Sequence, residues 1–262
     1  MIDLHIDAES KLAEIVLNNP KAMNSLAEAD LQELSAAYAE AARAAEAGDV
    51  RALLLRGEGK GFSAGRNIKG LDPRNDDATD YLANKVTPVL KSMSQFPAPT
   101  FAAVQGACLG VGLGLAIATD IVYVAEDAKI GSPFANLGAT LDSGGHALFV
   151  ERLGAHRAMD LIVTGELMSG AEAVAAGLFS RAIPASELQG FTRAKALAAA
   201  QGATRAFLAS RALVHQIRDD KAGLWESVDK ENVAQGELCS SADYLEGFAA
   251  FNEKRPPVFQ GK

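Results

Sequence analysis

The stretch "FAAVQGACLGVGLGLAIA" (Phe101–Ala118) runs for 18 residues without a charge. That is near the shortest length able to cross a bilayer as one helix. Its reading therefore decides between a membrane segment and a buried α/β core. Gly106, Gly110, Gly112 and Gly114 interrupt it, Asp120 follows closely, and no basic anchors flank it. A spanning helix is normally flanked by such anchors. The pattern instead predicts a buried strand, "TFAAVQG", ending near Gly106, and a buried helix, "LGVGLGLAIATD", beginning near Gly110. No membrane association is expected.

Working outward, "DIVYVAED" is the next strand, so this region is a strand–helix–strand unit. Upstream, "IDLHID" alternates as a half-buried strand does, "LAEIVLN" is a second short strand, and "RALLLRG" is a buried one. Between them, Leu31, Leu34, Tyr38 and Ala41 recur at helical spacing. Ser25 and Glu28 have the spacing of a capping box before that helix. An acidic linker, "LDPRNDDATD", leads into a further helical stretch. Beyond about residue 143 the chain is mostly helical. The expected class is α/β, with an N-terminal α/β core and a C-terminal helical region.

Composition narrows the function. The 262 residues are 48% hydrophobic and 22% charged, with a net charge of −8. That describes a globular chain with a sizeable core. An acidic surface repels phosphate backbones, so no nucleic-acid partner is expected. Two cysteines, Cys108 and Cys239, form no disulfide framework, and a reducing cytoplasmic setting is the simplest expectation. The opening "MIDLHIDAES" is acidic and lacks the apolar run of a signal peptide. No histidine or cysteine spacing suggests a metal.

Three stretches carry possible chemistry. "GFSAGRNIKG" (Gly61–Gly70) follows a strand, and its glycines let backbone N–H groups face outward toward an oxyanion. An ordinary surface loop would read the same way. "VQGACLGVGLG" (Val104–Gly114) places a helix start beside it, with unpaired N–H groups and a positive dipole end. Close helix packing would also require those glycines. "GATLDSGGH" (Gly138–His146) holds one acid, Asp142, among small and apolar residues. Asp142 fits either a proton-transfer group or the N-cap of a helix over residues 143–153. His146 reads as a helix-face residue, and Cys108 as a small buried one.

Taken together these stretches resemble the enoyl-CoA hydratase/isomerase (crotonase) family. "LNNPKAMNSL", "LMSGAEAVAAGLFSRAIP" and the tail "SSADYLEGFAAFNEKRPPVFQGK" also match its pattern. The likeness covers almost the whole chain. It implies a spiral of ββα units over residues 1–200 and a helical trimerisation region over 201–262. It implies a homotrimer or a dimer of trimers, acyl-CoA thioesters as substrates, and no cofactor beyond the coenzyme A carried by the substrate. By the same resemblance the N–H groups of Ala64 and Val111 form the oxyanion hole. Lys21, Ala22, Arg66 and Ile68 lie near the coenzyme, as do the tail residues Phe251 and Lys254, which reach a neighbouring subunit's coenzyme A.

The chain departs from the family's hydratases at two positions. Gly114 and Phe134 stand where those enzymes carry glutamates, and neither can move a proton. An aspartate at the place of Asp142 resembles three subgroups: dienoyl-CoA isomerases, ring-epoxide isomerases and chlorobenzoyl-CoA dehalogenases. The first also carries a glutamate where Phe134 stands. The last needs a histidine that "DDATDYLANKVTPVLKS" does not supply. The ring-epoxide isomerases fit best, since they rely on a single aspartate. The resemblance thus implies an isomerase with Asp142 as acid and base, and hydration or mere acyl-CoA binding as alternatives. Leu141, Phe134 and Leu137 are the expected desolvating neighbours, and Tyr81, Leu82, Val86 and Met93 the expected acyl-pocket residues.

Overall fold

The computed structural model describes residues 1–262. A hairpin of β1 (Ile2–Asp7) and β2 (Leu12–Leu17) opens the chain, and helix α1 (Glu28–Glu46) follows. Its buried stripe is Leu31, Leu34, Ala37, Tyr38 and Ala41, the periodic set. The helix start differs from the Ser25–Glu28 box. Ala27 is the first cap residue, and the Asp30 carboxylate accepts its N–H at 2.8 Å. Strand β3 (Ala52–Gly57) then lies parallel to β2, with Leu12 opposite Ala52.

Two further strands, β4 (Thr100–Val104) and β6 (Ile121–Ala125), extend the same sheet in parallel. Their apolar runs are covered on both faces, as parallel strands require. Between them the 18-residue uncharged stretch divides into β4, a three-residue strand β5 (Ala107–Leu109) and a short helix. No helix is long and apolar enough to cross a membrane. The segment before β4 holds a turn of helix, α2 (Ala78–Asp80), a π-helical turn (Tyr81–Val86) and α3 (Thr87–Ser94). Helix α4 (Val111–Ile117) is buried along its whole length.

Strand β5 pairs in parallel with β7 (Lys129–Gly131), which pairs antiparallel with β8 (Met168–Ser169). Single bridges, Ser63 to Cys108 and Leu26 to Arg66, carry this second sheet into the glycine-rich loop. The β–β–α progression recurs: β1–β2–α1, then β4–β5–α4. Strand β9 (Arg181–Ile183) closes the first sheet, giving the order β1-β2-β3-β4-β6-β9. The α/β class with a mixed sheet and a helical C-terminal part is therefore the observed one. Strands β5, β7, β8 and β9 leave no mark in the sequence, because two or three residues carry no readable alternation.

The C-terminal half contributes α5 (Gly145–Leu153), α6 (Ala155–Thr164), α7 (Gly170–Ala175) and α8 (Leu188–Ala200). Helices α9 (Thr204–Asp219), α10 (Leu224–Leu238) and α11 (Ala242–Glu253) follow. Val214, Leu224, Trp225, Phe248 and Phe251 on these last helices are exposed. The tail folds back on the core. Asp243 accepts the N–H groups of Gln260 and Gly261 at 2.6 and 2.8 Å, and buried Arg51 donates to the Phe259 carbonyl at 3.0 Å.

Candidate active site

The glycine-rich loop is held by side chains from the preceding turn. Asn24 donates to the carbonyls of Glu58 and Gly61, and Ser63 Oγ donates to the Asn24 carbonyl. Ser63 N–H meets the Ala107 carbonyl at 2.9 Å, and Leu109 N–H meets the Ser63 carbonyl at 3.0 Å. The loop thereby becomes an edge of the second sheet. Gly65 has φ +87°, and a methyl there would sit 2.6 Å from the Leu109 carbonyl and 3.4 Å from Val111 N. Only glycine allows the loop to approach the start of α4 this closely.

The expectation for Ala64 is corrected here. Its N–H already donates to the Met23 carbonyl at 2.9 Å, so it has nothing left to offer a ligand. Arg66, two residues on, has the free group. Leu26 N–H meets the Gly65 carbonyl, and Asn67 N–H meets the Leu26 carbonyl, each at 2.8 Å. Those bonds face one neighbour, so the intervening Arg66 N–H faces the other way and meets no protein acceptor. Val111 is the first residue of α4, so its N–H has no intrahelical acceptor either. Two free donors, Arg66 and Val111, thus flank the Gly65–Val111 approach. Such a pair can hold a negative oxygen. The distinction is spatial: the Met23 contact that consumes the Ala64 N–H comes from a separate turn.

The Asp142 carboxylate caps no helix. Helix α5 begins at Gly145 with Gly144 before it at φ +81°, and the Gly145 N–H donates to the main-chain carbonyl of Asp142, not to its side chain. The side chain is half-buried and accepts one hydrogen bond, from Ser143 Oγ at 2.7 Å on Oδ1. Oδ2 has no protein partner. Burial raises the pKa of this carboxyl, opposed in turn by Ser143, by the Arg66 charge and by His146. Loss of hydration penalises the ionised form, which is the larger effect. Of the expected desolvating neighbours, Leu141 is buried and Phe134 half-buried, but Leu137 is 62% exposed and contributes nothing.

Beside this carboxylate the space in front of Gly114 and Gly110 is filled. A methyl on Gly114 would collide with Ser143 Cβ and lie 3.1 Å from Ser143 Oγ. The Phe134 ring lies against Gly110, where a methyl would be 3.1 Å from its Cζ. Arg66 forms a two-pronged ion pair with Asp76 at 2.6 and 2.8 Å and stacks 3.8 Å above the Tyr81 ring. Tyr81 is 3% exposed, with its hydroxyl unpartnered and its pKa pushed up to about 12 by burial. Gly114, Ser143 and Gly144, though not Asp142, Arg66 or Val111 themselves, line a cavity of about 910 Å³. Leu82, Val86 and Leu90 line it, as expected for two of them, whereas Met93 is a core residue.

The other expected contacts divide into two groups. Lys21 and Ala22 sit in a 3₁₀ turn (Pro20–Ala22) that the Asn24 bonds tie to the loop carrying Arg66 and exposed Ile68. Phe251, 82% exposed, instead lines a separate cavity with Tyr244, Phe248 and Phe259, and Lys254 ends α11. Within one chain these two do not join the first group. Cys108 is fully buried with its thiol pKa raised by burial, an inert packing residue. His146 is exposed on α5, its ring 3.4 Å from Thr140 Oγ1.

Residues 7–262 match the profile of the enoyl-CoA hydratase/isomerase family. A Rhodobacter capsulatus protein named "Probable enoyl-CoA hydratase" is 34% identical over 255 residues, covering 96% of this chain and 95% of that one. The human protein "Enoyl-CoA hydratase domain-containing protein 2, mitochondrial" is 32% identical, covering 96% of this chain and 86% of its own. The solved structure of enoyl-CoA hydratase from Bacillus anthracis superposes with a TM-score of 0.89 at 28% identity, covering 99% of each chain.

Proposed function

Because this chain belongs to the enoyl-CoA hydratase/isomerase family, we propose that it is an acyl-CoA isomerase. It shifts a double bond, or rearranges the acyl group, through an enolate held by the N–H groups of Arg66 and Val111. Asp142 is its acid and base. In a 3-enoyl thioester the Asp142 carboxylate takes a proton from C2, the C–H pair passes into a dienolate, and the proton returns to C4. One carboxylate over both carbons serves both steps. Each N–H donor contributes about 3–4 kcal/mol to the charged intermediate, by analogy with comparable holes. Its raised proton affinity helps Asp142 return the proton.

The observation that carries this reading is the isolation of Asp142. Asp76 is neutralised by its ion pair with Arg66, whereas Asp142 has no cationic partner and keeps Oδ2 free, while Ser143 fills the space beside Gly114 and Phe134 packs on Gly110. Leu82, Val86 and Leu90 line one side of the neighbouring cavity and suit an aliphatic or ring acyl group, including the ring-epoxide class, while Asp120, Arg152 and Arg211 make another part of it charged. A second reading, hydration with Asp142 and another group activating water, is favoured by the names of the relatives. Coenzyme A enters with the substrate, near Lys21, Ala22, Arg66 and Ile68. The exposed apolar residues of α9–α11 support a trimer or dimer of trimers, in which Phe251 and Lys254 would reach a neighbour's site.

Two substrates test the reading. 3-Hexenoyl-CoA should gain conjugated-thioester absorbance, and crotonyl-CoA should keep its own. Loss of crotonyl absorbance without gain from 3-hexenoyl-CoA refutes isomerisation in favour of hydration. Tight binding of both with no turnover favours a binding protein.

A further inference from the structure

Ser143 has an unusual backbone for a residue with a side chain. Its φ is +54°, in the left-handed region, and Gly144 follows at +81°. Left-handed residues other than glycine cluster where function imposes them. The conformation turns Ser143 toward α4, where its Cβ packs on Gly114. The residue also lines the large cavity. Its hydroxyl is the only side-chain or backbone donor to the Asp142 carboxylate, at 2.7 Å on Oδ1.

The groups facing that carboxylate come from three elements. Arg66 approaches from the glycine-rich loop, His146 from α5 and Tyr81 from the π turn. The Arg66 guanidinium is committed to Asp76 in a two-pronged pair. His146 is exposed and directed toward Thr140. Tyr81 offers no hydrogen bond to any protein group. None of them fixes the orientation of the carboxylate.

We propose that Ser143 is a positioning residue: wedged by its left-handed backbone against Gly114, its hydroxyl pins Oδ1 of Asp142 and leaves Oδ2 as the oxygen that carries the proton. The inference rests on the role proposed for Asp142. The transferred proton moves from C2 to Oδ2 and on to C4, while Ser143 keeps its own proton throughout. The free rotation that a lone carboxylate would have is removed, so one lone-pair direction faces both carbons. The wedge also accounts for Gly114. A glutamate there would displace the serine that holds the aspartate.

The test uses Ser143→Gly and Ser143→Ala, which both delete the hydroxyl but differ in backbone tolerance. The Asp142 carboxyl is titrated by ¹³C NMR in the ligand-free protein, alongside the pH profile of kcat/KM on 3-hexenoyl-CoA. Both variants should titrate at higher pH than wild type, and the acidic limb of kcat/KM should move with it. The kcat should fall by about 10- to 100-fold with KM nearly unchanged, the equivalent of one hydrogen bond to a charge. Ser143→Gly should melt above Ser143→Ala, because glycine accepts the positive φ. An unchanged Asp142 midpoint and acidic limb in Ser143→Gly, with Asp142→Asn inactive, overturns this inference and leaves the role of Asp142 standing. Wild-type turnover by Asp142→Asn overturns both.

Discussion

Replacing Gly114 by alanine should have an effect whose sign depends on residue 143. Two opposing contributions are readable from the structure. Alanine inside a helix is favoured over glycine by about 1 kcal/mol. Against that, the added methyl collides with Ser143 Cβ and lies within 3.1 Å of its Oγ. Overpacking of a filled interior costs about 1–3 kcal/mol. Since α4 is buried throughout and Ser143 is held by its own left-handed backbone, neither partner can easily yield. Gly114→Ala alone should therefore destabilise the protein and push Ser143 off Asp142, lowering kcat as well. In a Ser143→Gly background the collision vanishes, and the same change should stabilise by about 1 kcal/mol. Chemical denaturation of the four proteins, at one protein concentration, gives the coupling directly. The expected coupling is about 1–3 kcal/mol, taken from the overpacking cost. Additivity within about 0.5 kcal/mol would refute the wedge between α4 and the Asp142 turn.

Further outcomes follow from the same geometry. Asp142→Asn should lose about 10²- to 10⁴-fold in kcat on 3-enoyl-CoA, the usual worth of a general acid–base, by the thioester absorbance assay. It should also melt higher than wild type at pH 7. The raised proton affinity means Asp142 supports folding fully only below its unfolded pKa, and loses that contribution as pH rises through the folded value, so the gain should shrink in acid. For the same reason the acidic limb of kcat/KM should lie above the ordinary carboxylate range, measured between weakly acidic and neutral buffers. Val111→Pro removes one free N–H at the first position of α4, where proline is tolerated, and should cost about 10²- to 10³-fold in kcat with an unchanged circular dichroism spectrum. Asp76→Ala releases the Arg66 side chain and should lower kcat/KM by about tenfold through loss of alignment, with wild-type activity counting against a role for the clamp.

Much of this was legible in the chain itself. The uncharged run Phe101–Ala118 carried its own answer, because glycines and a nearby acid exclude a spanning helix and fit a strand and a short helix. The periodic residues of α1 and the lone Asp142 were equally plain. What the chain hides is long-range. Ala64 and Arg66 are equivalent as loop residues until the carbonyl of Met23 is seen to consume the N–H of one. Asp142 looks like a cap until the helix is found to begin at Gly145, led by a left-handed Gly144. The strands of the second sheet are too short to announce themselves, since their residues are selected by neighbours on either side and not by their own pattern. Leu137 shows the converse: an apolar residue beside a site can still point away from it.

Arg66 joins two demands that many enzymes keep apart. Its main chain offers an N–H at the oxyanion position, and its side chain is gripped by Asp76 and laid over Tyr81, at the head of the turn that continues into the cavity wall. Any drift in that segment that reshapes the pocket for a new acyl group also pulls on the donor that supports the chemistry. Selectivity and rate are therefore not independent traits in this scaffold. A lineage exploring new substrates through residues 72–96 moves along a narrow ridge, where each gain in fit must leave the 66–76 clamp in place.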